Sequence, residues 1–201
     1  MSSVGLIYVG VVLVINGLLL LGRVTAQEAA PLNVFVGVIQ VAIPTYLIAT
    51  APDPAGIFAA SGIYLFGFTY LWVGIAGFTG QSLRGFGWYC LLVALCTTVY
   101  AGESFVRAGD AGFGAVWLLW GVLWFLFFVV LGLGHESLTR PTGVFTAVTG
   151  VVTAIVAFLS LTEVWSGDWV TAGLVAVVGV IGLAVMGPVA ARIDPATEVV
   201  A

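Results

Sequence analysis

The sequence predicts an all-α membrane protein, a bundle of seven transmembrane helices or, on a shorter count, six. Three observations carry this. Apolar residues make up 62% of the 201-residue chain and charged residues only 7%, where a soluble domain carries about a quarter charged. The mean hydropathy is +1.22. A bilayer core about 30 Å thick needs about 20 apolar helical residues, and seven stretches qualify. They are 4–22, 32–50, 57–78, 86–101, 113–134, 143–164 and 170–191. No gap between them is long enough for a soluble domain, so residues 1–201 read as one transmembrane domain.

The first stretch reads as a helix rather than a signal peptide, because Met1-Ser2-Ser3 brings no positive charge and no small-residue cleavage site interrupts the run. The second ends at a turn signal, Thr50-Ala-Pro-Asp-Pro-Ala-Gly56. The fourth, 86–101, is the shortest. A second turn signal, Gly134-His-Glu-Ser-Leu-Thr-Arg-Pro-Thr-Gly143, separates the fifth from the sixth. Pro44 and Pro188 are expected to kink their helices. The 27 glycines read as sites of close helix packing.

The chain has no lysine, and its five basic residues are Arg23, Arg84, Arg107, Arg140 and Arg192. With seven alternating helices, all but Arg107 fall on one side. Basic residues favour the cytoplasm, which predicts the N-terminus outside and the C-terminus inside. The net charge of −4 is scattered and points to no nucleic-acid partner.

Three helices repeat one pattern: Leu6, Val9, Gly10, Leu13; Ile63, Phe66, Gly67, Tyr70; and Trp117, Trp120, Gly121, Trp124. Offsets of three, four and seven residues share a helix face. Each helix therefore presents a ribbon of large side chains, aliphatic in the first and all tryptophan in the third. Interfacial aromatic belts sit at the membrane surface, whereas Trp117 to Trp124 spread over about 10 Å of one face. The pattern predicts an aromatic-walled passage.

Catalytic chemistry finds no footing in the sequence. Cys90 and Cys96 lie about 600° apart on a helix and point to different faces. The single histidine, His135, sits in a polar gap. No nucleophile–base pair, metal cluster or cofactor motif is present, so the chain is read as no enzyme, with no cofactor and no metal. A retinal protein needs a Schiff-base lysine. A proton pump needs ionisable groups within the membrane, and Glu103 and Glu163 lie only near helix ends. A slit between flat aromatic walls suits a small, planar, uncharged solute, with Tyr70 Oη, indole N–H groups and backbone carbonyls offering hydrogen bonds. An ion would lose its hydration without replacement charge. Urea and short amides fit.

The strings Leu6-Ile-Tyr-Val-Gly-Val-Val-Leu13 through Asn16-Gly17, Asn33-Val-Phe-Val-Gly37, Leu65-Phe-Gly-Phe-Thr-Tyr-Leu71, Trp88-Tyr89 and Trp117-Leu-Leu-Trp-Gly-Val-Leu-Trp124 resemble the urea channel and amide transporter family (AmiS/UreI) over roughly residues 4–165. The resemblance implies a pore in each protomer, assembled from three two-helix hairpins, and a homohexamer with lipid in its centre. It implies two constrictions walled by the residues matching Leu6, Val9, Leu13, Phe66, Tyr70, Trp117, Trp120, Leu123 and Trp124, with Asn16 nearby. Two departures stand out. The seventh run, 170–191, is additional to the family's six helices, and Thr149 stands before Gly150 where some members carry glutamate.

The expected function is a passive channel for urea or short aliphatic amides in the bacterial plasma membrane, supplying a cytoplasmic urease or amidase. The alternatives are a proton-coupled amide transporter using Glu103 or Glu163, and a non-transporting membrane scaffold. Acid-activated urea channels share these pore strings. Gating near pH 6 usually needs an external histidine, and the arginine count puts His135 inside. A constitutively open channel is expected.

Overall fold

Short polar caps start four of the helices. In α2 (Ala26–Ala49), Thr25 and Glu28 form a reciprocal capping box. Asp53, Asp110 and Asp168 accept the backbone N–H of Gly56, Phe113 and Thr171 at the starts of α3 (Pro54–Ser61), α6 (Ala111–Phe127) and α8 (Trp169–Arg192). The Thr171 N–H holds the Asp168 carboxyl below its usual range. The remaining α-helices of the computed structural model are α1 (Ser2–Leu20), α4 (Ile63–Thr79), α5 (Arg84–Glu103) and α7 (Thr139–Leu161), and a π-helical segment, Phe128–Gly132, continues α6. The structure describes residues 2–193; Met1 and residues 194–201, with Asp194 and Glu198, lie outside them. Seven spans are long and apolar enough to cross a membrane, and α3 and α4 together make the third. The six-span count is thereby set aside.

Several helix ends differ from the sequence expectation. The second helix begins at Ala26 rather than residue 32, because the capping box supplies two bonds where Pro31 removes one. The fourth span is not the short run 86–101. It starts at Arg84 and continues through a π-helical turn, Ser104–Ala108, to which Glu103 and Arg107 add an ion pair of 3.2 Å one turn apart. The sixth span starts earlier, with a 3₁₀ turn at Glu136–Leu138 leading into α7 at Thr139. It ends at Leu161, where Glu163 takes a left-handed φ of 59° and the Val164 N–H reaches back to the Leu159 carbonyl. The third span breaks at Gly62, whose missing side chain leaves room for the rings of Trp117 and Tyr100. Through Pro44 and Pro188 the helices α2 and α8 are continuous.

Glycines decide which helices meet. Gly10 of α1 lies against Gly150 and Ala154 of α7, Gly67 of α4 against the Gln40 carbonyl of α2, and Gly121 of α6 against Thr97 of α5. The Gln40 carbonyl is the one that Pro44 leaves without its helical donor. In each repeat the glycine beside the ribbon faces away from it, so a second helix can close from behind while the ribbon faces inward. The closely packed pairs are α1 with α7, α2 with α4, and α5 with α6. Each first helix of a hairpin thus packs most closely on the second helix of a neighbouring hairpin, which closes the six helices into a ring.

The seventh span, α8, lies outside that ring on α6 and α7. Gly179 faces Leu119 and Gly182 faces Phe145. At one end, the Trp165 indole donates to the Asp110 carboxylate, joining the loop before α8 to the start of α6. At the other, Arg140 donates to the Ile193 carbonyl.

Candidate permeation pathway

The three ribbons converge. Phe66 sits at their centre, near-parallel to Trp117 with centroids 5.7 Å apart and edge-on to Trp120 and Trp124 at 4.9 and 5.0 Å. Trp117 and Trp120 meet at 90°. Offset and edge-on arrangements satisfy the ring quadrupoles, so these rings form a herringbone cluster. This corrects the expected pair of flat walls: the rings fill their own space. The indoles are also committed. Trp120 Nε1 donates to Thr153 Oγ1 at 3.0 Å and Trp124 Nε1 to Thr69 Oγ1 at 3.2 Å. They are not the free donors that the sequence suggested. Tyr70 Oη is fully buried and has no partner among the described residues.

Four cavities lie in series through the protein. At the end carrying Arg107, a vestibule of about 1060 Å³ is lined by Asp53, Tyr100, Glu103, Arg107, Asp110 and Trp117. It shares Ala59, Phe113 and Trp117 with an upper cavity of about 210 Å³, walled also by Leu6, Gln40, Phe66, Trp120 and Ser160. Beyond the ring cluster, a lower cavity of about 60 Å³ is lined by Leu13, Asn16, Thr69, Tyr70 and Phe127. It shares Leu83 and Leu131 with a second vestibule of about 490 Å³ at the arginine-rich end, beside Arg84, Glu136 and Thr139. Upper and lower cavities have no wall in common. Between them Val9, Leu13, Tyr70, Leu123 and Trp124 are fully buried. Among the described residues, no Asp, Glu, His, Lys or Arg lines either inner cavity.

The ten pore residues expected from the sequence border these cavities or are buried between them. Trp117 borders the vestibule and the upper cavity; Leu6, Phe66 and Trp120 border the upper cavity; Leu13, Asn16 and Tyr70 border the lower. Val9, Leu123 and Trp124 are buried between them. Asn16 is held by a reciprocal amide pair with Asn33 of α2, at 2.8 and 2.9 Å.

Phe113 and Gln40 also line the upper cavity, outside the ribbon pattern. Phe113 stands four residues before Trp117 and packs edge-on to Trp117 and Trp120, so the same spacing rule would have found it. Gln40 is an amide in the middle of an apolar span, itself a sign of an interior position, and it donates to the Gly5 carbonyl.

The AmiS/UreI family transporter profile matches residues 1–164. The chain belongs to the AmiS/UreI family. A Mycolicibacterium smegmatis protein named for transport of amidate substrates is 47% identical over 195 residues, covering 96% of this chain and 92% of its own. The acid-activated urea channel of Helicobacter pylori is 32% identical over 176 residues, covering 73% of this chain and 87% of its own. The cryo-EM structure of the H. pylori urea channel in its closed state superposes with a TM-score of 0.75 at 29% identity, over 82% of this chain and all of that one. The α8 helix lies beyond the family profile, whereas the M. smegmatis alignment is long enough to include it. The AmiS/UreI family is one of transporters and channels.

Proposed function

We propose that this AmiS/UreI protein is a passive channel for urea and short aliphatic amides, with its own pathway in each protomer. One observation carries the reading: four cavities in series, closed midway by an uncharged cluster of aromatic and aliphatic side chains on three helices. An ion entering that section would lose its hydration with no charge to replace it, at a cost of many kcal/mol. A neutral amide brings its own donors and acceptor, and the unpartnered Tyr70 hydroxyl beside Asn16 is available to it. The constrictions are assigned to Leu6, Val9, Leu13, Phe66, Tyr70, Trp117, Trp120, Leu123 and Trp124, with Asn16 below them. Small rotations of Phe66, Trp120 and Trp124 would join the cavities.

Proton coupling finds no support in the geometry. Glu103 is ion-paired with Arg107 in the vestibule, and Glu163 lies in the loop after α7. The names of the relatives, one a urea channel and one a transporter of amidate substrates, support the solute class. Residues 1–201 act as one domain, with α8 part of it. The protein is placed in the bacterial plasma membrane as a homohexamer, N-terminus outside and C-terminus inside, where it would supply a cytoplasmic urease or amidase.

Stopped-flow light scattering on proteoliposomes tests the function. Urea and acetamide should equilibrate faster than in empty vesicles, and glycerol and salt should not. Vesicles with protein no more permeable to urea than empty ones would refute a channel and favour a scaffold. Solute uptake only under a pH gradient would favour proton coupling. Crosslinking in native membranes should stop at a six-subunit band.

A further inference from the structure

Six hydroxyl residues of α7 recur at helical spacing: Thr139, Thr142, Thr146, Thr149, Thr153 and Ser160. At about 100° per residue they fall within an arc of about 80° on one face. The ends of that face touch the pathway. Thr139 borders the vestibule at the arginine-rich end, and Ser160 borders the upper cavity. At 1.5 Å per residue the two are about 32 Å apart, which bridges the whole closed section. The neighbouring faces of α7 are taken: Gly143, Ala147, Gly150 and Ala154 meet α1, and Phe145 meets α8. The hydroxyl face lies between them, and Thr153 touches the Trp120 indole of the ring cluster.

The four inner threonines are fully buried. Two are satisfied within the helix, since Thr146 Oγ1 donates to the Thr142 carbonyl and Thr153 Oγ1 to the Thr149 carbonyl. The other two are not. Thr142 Oγ1 and Thr149 Oγ1 have no hydrogen-bond partner among the described residues. A buried hydroxyl without a partner is costly, and most of all within a bilayer that offers no solvent in exchange. Valine would supply the same shape without that cost. The folded protein therefore holds two donors and their lone pairs unused, on the face that runs alongside the barrier.

We propose that this face is a hydrogen-bonding rail for the permeant, with Thr142 and Thr149 as its receiving groups. The inference rests on the channel reading above and deepens it. As Trp120 turns aside its indole leaves Thr153, and a solute N–H takes its place on Thr153 Oγ1. The solute carbonyl then accepts from the Thr149 hydroxyl, and about two turns further on from Thr142. Each contact replaces one lost from water, so the rail lowers the desolvation barrier of a molecule that carries both N–H and C=O groups. The aromatic rings exclude ions and bulk, while the hydroxyls select for amides.

The test compares Thr149→Val, Thr142→Val and the double variant with Thr149→Ser and with Thr98→Val, a control on the exposed face of α5. Urea permeability is measured by stopped flow in proteoliposomes and thermal unfolding in detergent. Each inner valine should lower urea permeability about two- to tenfold, the value of one net hydrogen bond, with an unchanged or higher unfolding midpoint. Thr149→Ser should keep both near wild type, and Thr98→Val should change neither. Valine variants that conduct like wild type overturn the rail and leave the channel standing. A permeability loss that tracks a lowered midpoint also overturns it, because it marks a packing role. A wild-type protein that does not raise urea permeability overturns the channel reading and the rail together.

Discussion

Replacing Gly150 with alanine should loosen the contact that seats the first ribbon. A Cβ built there lies 2.7 Å from the Gly10 carbonyl oxygen, 2.8 Å from Val14 N and 2.9 Å from Leu13 Cβ. These distances are about 0.5–0.7 Å short of ordinary contact, and two of the three atoms are backbone. Helix α1 must therefore back away from α7 as a body, carrying Val9 and Leu13 with it. Overpacking of this kind costs about 1–3 kcal/mol. A control comes from the same protein. Gly173 and Gly187 of α8 have nothing within 4 Å of their Cβ positions, so alanine there should be neutral or stabilise by up to about 1 kcal/mol. Thermal unfolding followed by the fluorescence of the seven tryptophans reads the difference. For a chain of this size about 1 kcal/mol shifts the midpoint by about 2–4 °C. Gly150→Ala should melt several degrees below wild type and Gly173→Ala at or above it. Gly10→Ala meets Ala154 and the Gly150 carbonyl at 2.7 Å. One separation relieves both sites, so the Gly10→Ala/Gly150→Ala double variant should lose less than the sum of the singles. If Gly150→Ala is as stable as Gly173→Ala, the glycine-seated ring is wrong.

Other expectations can be checked on the same preparations. Trp120→Ala or Trp124→Ala should lower selectivity for urea over glycerol, whereas Phe145→Ala, which faces α8, should keep selectivity and lose about 3–5 kcal/mol of stability; equal selectivity losses at both kinds of site would make the ribbon mere packing. Urea flux should stay nearly constant as external pH falls from about 7.5 to about 5.5, since the only histidine, His135, lies at the arginine-rich end and Asp168 at the other is held ionised by the Thr171 N–H; a several-fold rise would contradict a constitutively open channel or point to reversed orientation. A reporter after Ala201 should read cytoplasmic and one at Met1 external; both on one side would contradict seven spans. Glu163→Gly should stabilise by about 1 kcal/mol, because the left-handed φ of 59° is unfavourable for a residue with a Cβ; an unfolding midpoint below wild type would show that the glutamate side chain matters more than the backbone.

The spans were legible because hydropathy acts over some twenty residues and tolerates local error. Their ends were not. The fourth helix runs past Glu103 through a π-helical turn in which Arg107 pairs back with the half-buried Glu103, and the second starts before Pro31 because a cap outweighs one missing bond. The ribbons were legible for a related reason: three helices repeated the same offsets, and repetition separates a designed face from chance. What spacing could not show was the use of each polar atom. Nothing in the sequence says that the Trp120 and Trp124 indoles are spent on threonines while Tyr70 Oη is not.

The hydroxyl face of α7 shows the same offsets but carries no functional signal in the sequence alone, because threonine in a lipid-spanning helix usually returns its hydroxyl to its own backbone. Thr45, Thr69 and Thr79 do so. The distinction lies in burial, which sequence does not give. A threonine that bonds its own helix carries no information about a pathway, whereas one that is buried and unpartnered beside a closed barrier does. On the proposed reading, aromatic ribbons and threonine face divide one task. The rings make the barrier tight against ions, and a tight barrier with no polar groups would be equally tight against amides. Selective passage therefore requires hydrogen-bonding groups within reach of the closed section, and among the described residues Thr142, Thr149 and Tyr70 are the buried hydroxyls left free to provide them.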